Sequence, residues 1–189
     1  MKIGILGGSF NPIHTGHLVL AEDARVKLGL DKVLFIPAYL PPHKEEKDLL
    51  IAQERMRMVR MAVRGNPYFE ALDIEVKRKG KSYSIDTLKA LKEKYPSGDK
   101  FFFIVGSDAL GYLSDWKDVD ELMKLAKFVV ASRPNYALKN LPGKILPLIV
   151  ESVDISGFRI RQRIKNNESV RYLLPKEVYN YIVKKGFYK

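Results

Sequence analysis

Residues 2–37 read KIGILGGSFNPIHTGHLVLAEDARVKLGLDKVLFIP, and the order of apolar patterns within them decides the fold. KIGIL (Lys2 to Leu6) is a short apolar run of the kind that forms a buried strand. LVLAEDARVKLGL (Leu18 to Leu30) has helical spacing and a glycine near its end. KVLFIP (Lys32 to Pro37) is a second strand run. Strand, helix and strand in so short a stretch make a crossover unit, which joins parallel strands through a helix packed on the sheet. Between the first strand and the helix lies GGSFNPIHTGHL (Gly7 to Leu18), with two glycines, a proline and two histidines three residues apart.

The alternation continues along the chain. AYLPPHKEEKD (Ala38 to Asp48) is a loop stiffened by Pro41 and Pro42. AQERMRMVRMAV (Ala52 to Val63) predicts an amphipathic helix with Met58, Met61 and Ala62 turned inward. FEALDIEVKR (Phe69 to Arg78) alternates and predicts a strand. SIDTLKALKEK (Ser84 to Lys94) predicts a helix capped by Ser84. KFFFIVG (Lys100 to Gly106), KFVVASR (Lys127 to Arg133) and KILPLIV (Lys144 to Val150) complete the strands, and SGFRIRQRI and PKEVYNYIVKKG read as two closing helices. The pattern predicts an α/β fold with a mostly parallel sheet flanked by helices. It forms one domain over residues 1–189, with a C-terminal helical section at about 156–189.

Composition bounds the function. A chain of 189 residues buries one sizeable core. No apolar run approaches the roughly 20 residues that cross a bilayer, and the opening MKIGILGG lacks the long apolar stretch of a signal peptide. There are no cysteines, which excludes disulfides and thiolate metal sites and fits a cytoplasmic protein. The net charge of +11 fits either a lysine-rich surface or an anionic partner. With no recognition-helix motif, zinc knuckle or aromatic RNA-binding pattern, nucleic acid is not the expected partner. A homo-oligomer remains open.

A parallel sheet binds ligands beyond the carboxyl ends of its strands. Gly7 and Gly8 there let the backbone turn sharply and approach a ligand. The backbone N–H groups and the next helix N-terminus make an anion site. Pro12 delays the helix, so His14 and His17 fall on one face near its first turn. Redox dinucleotide binding needs GxGxxG and an acidic residue near the end of the second strand, and neither occurs. The P-loop pattern GxxxxGK[ST] is also missing. Three readings stay open on residues alone: a metal held by two histidines without an obvious third ligand, imidazole donors for phosphate oxygens, and structural capping.

GGSFNPIHTGHL resembles the HxGH motif of the nucleotidyltransferase superfamily, with His14-Thr15-Gly16-His17 as the match. DISGFRIRQRI (Asp154 to Ile164) resembles its second motif, ISSTxIR, at Ile155, Ser156, Ile160 and Arg161. Gly157 and Phe158 depart from that pattern by removing two hydroxyls. YLPPHK (Tyr39 to Lys44), SYSIDTL (Ser82 to Leu88), FIVGSDALGYLSDW (Phe103 to Trp116) and SVRYLLPKEVYNYI (Ser169 to Ile182) are similar to the bacterial nicotinate-nucleotide adenylyltransferases. That resemblance runs from Lys2 to about Tyr181.

It implies a Rossmann-like fold and transfer of AMP from ATP to nicotinate mononucleotide, with Mg²⁺ bound to the ATP. It implies catalytic roles for His14, His17, Lys44 and Arg161. ATP would also meet Gly7, Gly8, Ser9, Phe10, Gly106, Asp108, Arg133, Ile155 and Ser156. The acceptor would meet Lys44, Tyr83, Thr87, Asp108 and Trp116, with Trp116 stacked on the pyridine ring and Thr87 beside its carboxylate. Of the three neighbouring arginines on the last motif, only Arg161 is expected to face the phosphates. Arg159 and Arg163 compete as solvated surface.

Overall fold

A computed structural model describes residues 1–189 except Lys44, Glu46, Asp48, residues 133–144 and Ser152, and gives no side-chain placement for Asp108, Ala109 and Tyr112. Six strands form one sheet: β1 Lys2–Gly8, β2 Lys32–Pro37, β3 Phe69–Ala71, β4 Lys100–Gly106, β5 Lys127–Ser132 and β6 Ile145–Ile149. The order is β3-β2-β1-β4-β5-β6, and every pairing is parallel. The chain steps outward from β1 on one side and from β4 on the other. The direction of winding therefore reverses at the β1/β4 junction, which opens a crevice beyond the carboxyl ends of these two strands.

Strand side chains alternate between two cores, as the two-residue strand period requires. Leu6, Val33, Phe35, Phe102, Ile104 and Val129 face one layer. That layer holds helices α1 (Thr15–Leu28) and α2 (Ala52–Val63) and the C-terminal helices α6 (Gly157–Lys165) and α7 (Lys176–Lys185). Ile3, Ile5, Leu34, Phe101, Phe103 and Phe128 face the other, which holds α4 (Ser84–Lys94) and α5 (Val119–Leu125). Val170, Leu174, Val178 and Ile182 join the first core, so the C-terminal section packs directly on the sheet.

Several expectations are corrected. The helix expected from Leu18 begins at Thr15, because His14 already stands in the extended cap conformation. Gly7 and Gly8 are still paired strand residues, opposite Ile36 and Pro37. The left-handed step comes at Phe10 (φ 44°) instead. The strand expected over Phe69 to Arg78 ends at Ala71, and Ile74–Arg78 forms the short helix α3. Only Leu72 and Glu75 are buried between Leu72 and Arg78, a spacing of three that suits a helical turn and not an alternating strand. Ser84 is the first helical residue of α4, and Tyr83 holds the cap position. The α5 helix was not expected from the pattern. A 3-10 segment, Ser107–Asp115, follows β4.

Candidate active site

A cavity of about 830 Å³ opens beyond the carboxyl ends of β1 and β4, a size suited to small-molecule ligands. Its walls include Gly7, Gly8, Ser9, Phe10, His14 and His17 from the first crossover, and Gly106 from the end of β4. Ile155, Ser156 and Arg161 come from the second motif. Tyr83, Thr87 and Trp116 come from the opposite core. Residues spread from Gly7 to Arg161 in sequence thus share one space. Lys44 and Arg133 lie outside the described residues, as does the side chain of Asp108.

The two histidines are fixed by their own backbone. His14 caps α1 and its N–H donates to His17 Nδ1 at 3.2 Å. A neutral His17 that accepts at Nδ1 carries its proton on Nε2, which leaves an N–H donor for a ligand. The rings stack with centroids 3.6 Å apart and planes 29° apart. Phe10 is buried and meets the His17 ring edge-on at 4.9 Å, so it braces the imidazole from behind. Burial pushes the His14 pKa down to about 4. Burial and the nearby His14 push His17 well below its ordinary value. Both imidazoles are neutral near pH 7. His14 Nδ1 is buried with no hydrogen-bond partner among the described residues.

The glycine between the histidines has a steric cause. A Cβ on Gly16 would lie 3.1 Å from His14 Nδ1 and 3.5 Å from Cβ of Ile155. Gly16 is therefore where the two motifs touch. Gly157 plays the matching part from the other side, since a Cβ there would lie 3.1 Å from the Asn11 carbonyl oxygen. The missing side chain at this position leaves room for the Asn11 carbonyl beside α6.

Ser156 caps α6, its side chain accepting from the Arg159 N–H at 3.2 Å. Arg161 Nη1 donates to the Asn11 carbonyl at 2.7 Å, while the residue lines the cavity. Arg159 pairs with Asp154 at 3.0 Å and Arg163 with Glu168 at 3.7 Å, all four exposed. This separates the three arginines as the helical period requires. The Thr15 N–H, at the first residue of α1, is taken by the Leu173 carbonyl at 3.0 Å.

On the other wall, Trp116 meets Phe103 and Phe128 edge-on at 5.8 and 6.1 Å. It is both a packing anchor and part of the cavity wall. Thr87 is buried, and its hydroxyl donates to Glu75 Oε1 at 2.6 Å and accepts from Arg78 Nη2 at 3.2 Å. Burial holds the Glu75 carboxyl above its ordinary range. The residue reading missed Glu75, whose alternating surroundings signalled a strand. It also missed Arg55, whose signal was present: an arginine on the apolar stripe of α2, among Ala52, Met56, Val59 and Val63. Lys117, which lines the cavity next to Trp116, was also missed. Among the described residues no group of three or more His, Cys, Asp or Glu is placed to hold a metal ion. No helix among them is long and apolar enough to cross a membrane.

The cytidylyltransferase-like family pattern matches residues 5–163. A probable nicotinate-nucleotide adenylyltransferase of Enterococcus faecalis is 46% identical over 100% of this chain and 85% of its own length. The nicotinate-nucleotide adenylyltransferase of Bacillus subtilis is 38% identical over 100% of this chain and 98% of its own. Among solved structures, a Plasmodium falciparum nicotinic acid mononucleotide adenylyltransferase complexed with APC superimposes with a TM-score of 0.77. It is 18% identical and is matched over 99% of this chain and 96% of that one, a likeness of fold. With two motifs meeting at Gly16 and full-length likeness to these relatives, the chain belongs to the nicotinate-nucleotide adenylyltransferase family, within the cytidylyltransferase-like group.

Proposed function

We infer that this protein transfers AMP from ATP to nicotinate mononucleotide, giving deamido-NAD and pyrophosphate in NAD biosynthesis. The observation that carries the reading is the shared cavity at the β1/β4 junction, with His14 and His17 on one side and Ser156 and Arg161 on another. A phosphate oxygen of the acceptor attacks the α-phosphorus of ATP. The new P–O bond forms as the bond to the β-phosphate breaks, and pyrophosphate leaves. No covalent intermediate with the protein is needed, so positioning and charge stabilisation do the work.

In this reading the neutral imidazoles of His14 and His17 donate to ATP phosphate oxygens. His14 and His17 begin low in pKa through burial, and the developing negative charge raises them and strengthens each bond. Arg161 holds the phosphates from the α6 side, and Lys44 is assigned to the phosphates with it. Gly7, Gly8, Ser9, Gly106 and Ile155 frame ATP with Asp108 and Arg133. Tyr83, Thr87 and Trp116 frame the acceptor. The Thr87 hydroxyl already donates to the Glu75 carboxyl and its N–H to the Tyr83 carbonyl, so neighbouring donors take the larger share in recognising the pyridine carboxylate. Mg²⁺ enters as the ATP salt. Among the described residues no group of three or more His, Cys, Asp or Glu offers it a cage. The reaction is assigned to the cytoplasm, where ATP is abundant.

The test is pyrophosphate release from MgATP with nicotinate mononucleotide, nicotinamide mononucleotide or phosphopantetheine supplied in parallel. Turnover with the first and little with the others is expected. No turnover with the first overturns the reading.

A further inference from the structure

Arg55 is the largest fully buried side chain among the described residues, only 1% exposed, and it sits beneath the cavity instead of in it. Its guanidinium makes four hydrogen bonds, all to main-chain carbonyls. Nε donates to Leu50 O at 2.7 Å, Nη1 to Ser9 O and Ala38 O at 2.6 Å each, and Nη2 to Tyr39 O at 2.7 Å. These carbonyls belong to three separate stretches: the turn after β1, the exit from β2 and the approach to α2.

The stretches continue into the two halves of the site. Ser9 belongs to the turn that leads to His14 and His17. Tyr39 passes the connection to the other wall, because its N–H donates to Ser82 Oγ at 2.9 Å. Ser82 directly precedes Tyr83, and the Ser82 N–H donates to Leu40 O at 2.8 Å. Leu50 closes the loop on the first side, its N–H donating to Asn11 Oδ1 at 3.2 Å. A planar fork of donors satisfies such a set of carbonyls at fixed angles, which neither an ammonium nor a neutral amide reproduces.

We propose that Arg55 is a positioning residue for adenylyl transfer: its guanidinium fixes the ATP-side turn against the acceptor-side wall, so that the attacking and leaving oxygens fall in line. The proposal rests on the adenylyl-transfer reading. Loss of this link leaves each half of the site able to hold its own ligand and removes the alignment between them. Misplacement of reacting groups by about 1 Å is enough to cost on the order of a hundredfold in rate.

The experiment uses the full chain as native protein, Arg55→Lys and Arg55→Gln, the second variant serving if the first does not fold. For each, kcat is measured with MgATP and nicotinate mononucleotide well below its own melting temperature. The Kd of each substrate alone is measured by calorimetry. At least one folded variant is expected to lose tenfold or more in kcat while both Kd values stay within threefold of native. A smaller loss in the folded variants, a greater change in either Kd, or failure of both variants to fold overturns the proposal. If the native chain itself releases no pyrophosphate, the adenylyl-transfer reading fails and the proposal with it. That outcome is distinct from an active native chain whose variants match it.

Discussion

Arg161 Nη1 donates to the main-chain carbonyl of Asn11 across 2.7 Å, joining residues 150 positions apart. The bond ties the helix of the second motif to the turn that carries the two histidines. It also spends one of the guanidinium donors on the protein, leaving the others for phosphate. Arg161→Lys keeps the charge and loses the fork. Its kcat/KM for ATP is expected to fall about 10- to 100-fold, by steady-state pyrophosphate release, with the acceptor KM changing less.

Gly16→Ala sets helix propensity against geometry. Alanine favours a helix by about 1 kcal/mol over glycine. The added Cβ, however, meets the His14 ring at 3.1 Å. The variant is expected to melt within a few degrees of native and to lose at least tenfold in kcat. Calorimetry and turnover on one preparation check both.

The histidine pair makes stability depend on pH. In the unfolded chain each imidazole titrates near 6.5, whereas in the folded chain His14 titrates near 4 and His17 also lies well below 6.5. As pH falls, the unfolded chain takes up protons first, so stability is complete above about 6.5 and declines toward 4. The decline from His14 is on the order of 3 kcal/mol. Urea unfolding between pH 7 and 4 is expected to show native protein losing on the order of 3 kcal/mol more stability than His14→Asn, whose asparagine is a good cap that carries no proton.

Thr87→Val removes the hydroxyl that donates to buried Glu75 at 2.6 Å. A buried polar group left without its partner costs about 1–3 kcal/mol, so the melting temperature is expected to drop by roughly 2–10 °C. Thr87→Ser, which restores the hydroxyl, is expected to recover most of it.

Trp116→Leu removes the aromatic wall while leaving an apolar side chain against Phe103 and Phe128. The KM for nicotinate mononucleotide is expected to rise about tenfold, with the KM for ATP within about twofold. This rests on one stacked ring contributing about 0.5–1.5 kcal/mol beyond its buried area. Equal changes in both constants would make Trp116 a packing residue only.

Parallel strands and crossover helices were legible because buried strands such as KFFFIVG have near-continuous apolar composition and because α4 keeps helical spacing, with Ile85, Leu88 and Leu91 buried. Phe69 to Arg78 misled because LDIEV alternates in composition as a strand does, while the edge position of β3 supplies pairing for only three residues. The histidines were legible from their place after β1. Arg55 was not singled out, since a helical stripe shows an arginine's side of the helix and not the carbonyls it reaches.

The sequence by itself determined the six strands, most of the helices, the two motifs and the family, because these reside in local composition and spacing. Only the tertiary structure decided that Gly16 abuts Ile155, that Asn11 is gripped by Arg161 and that Arg55 ties three loops beneath the cavity. Most of these contacts join residues far apart in the chain. The two arginines' partners are main-chain carbonyls that every residue carries, so no side-chain pattern names those partners in advance.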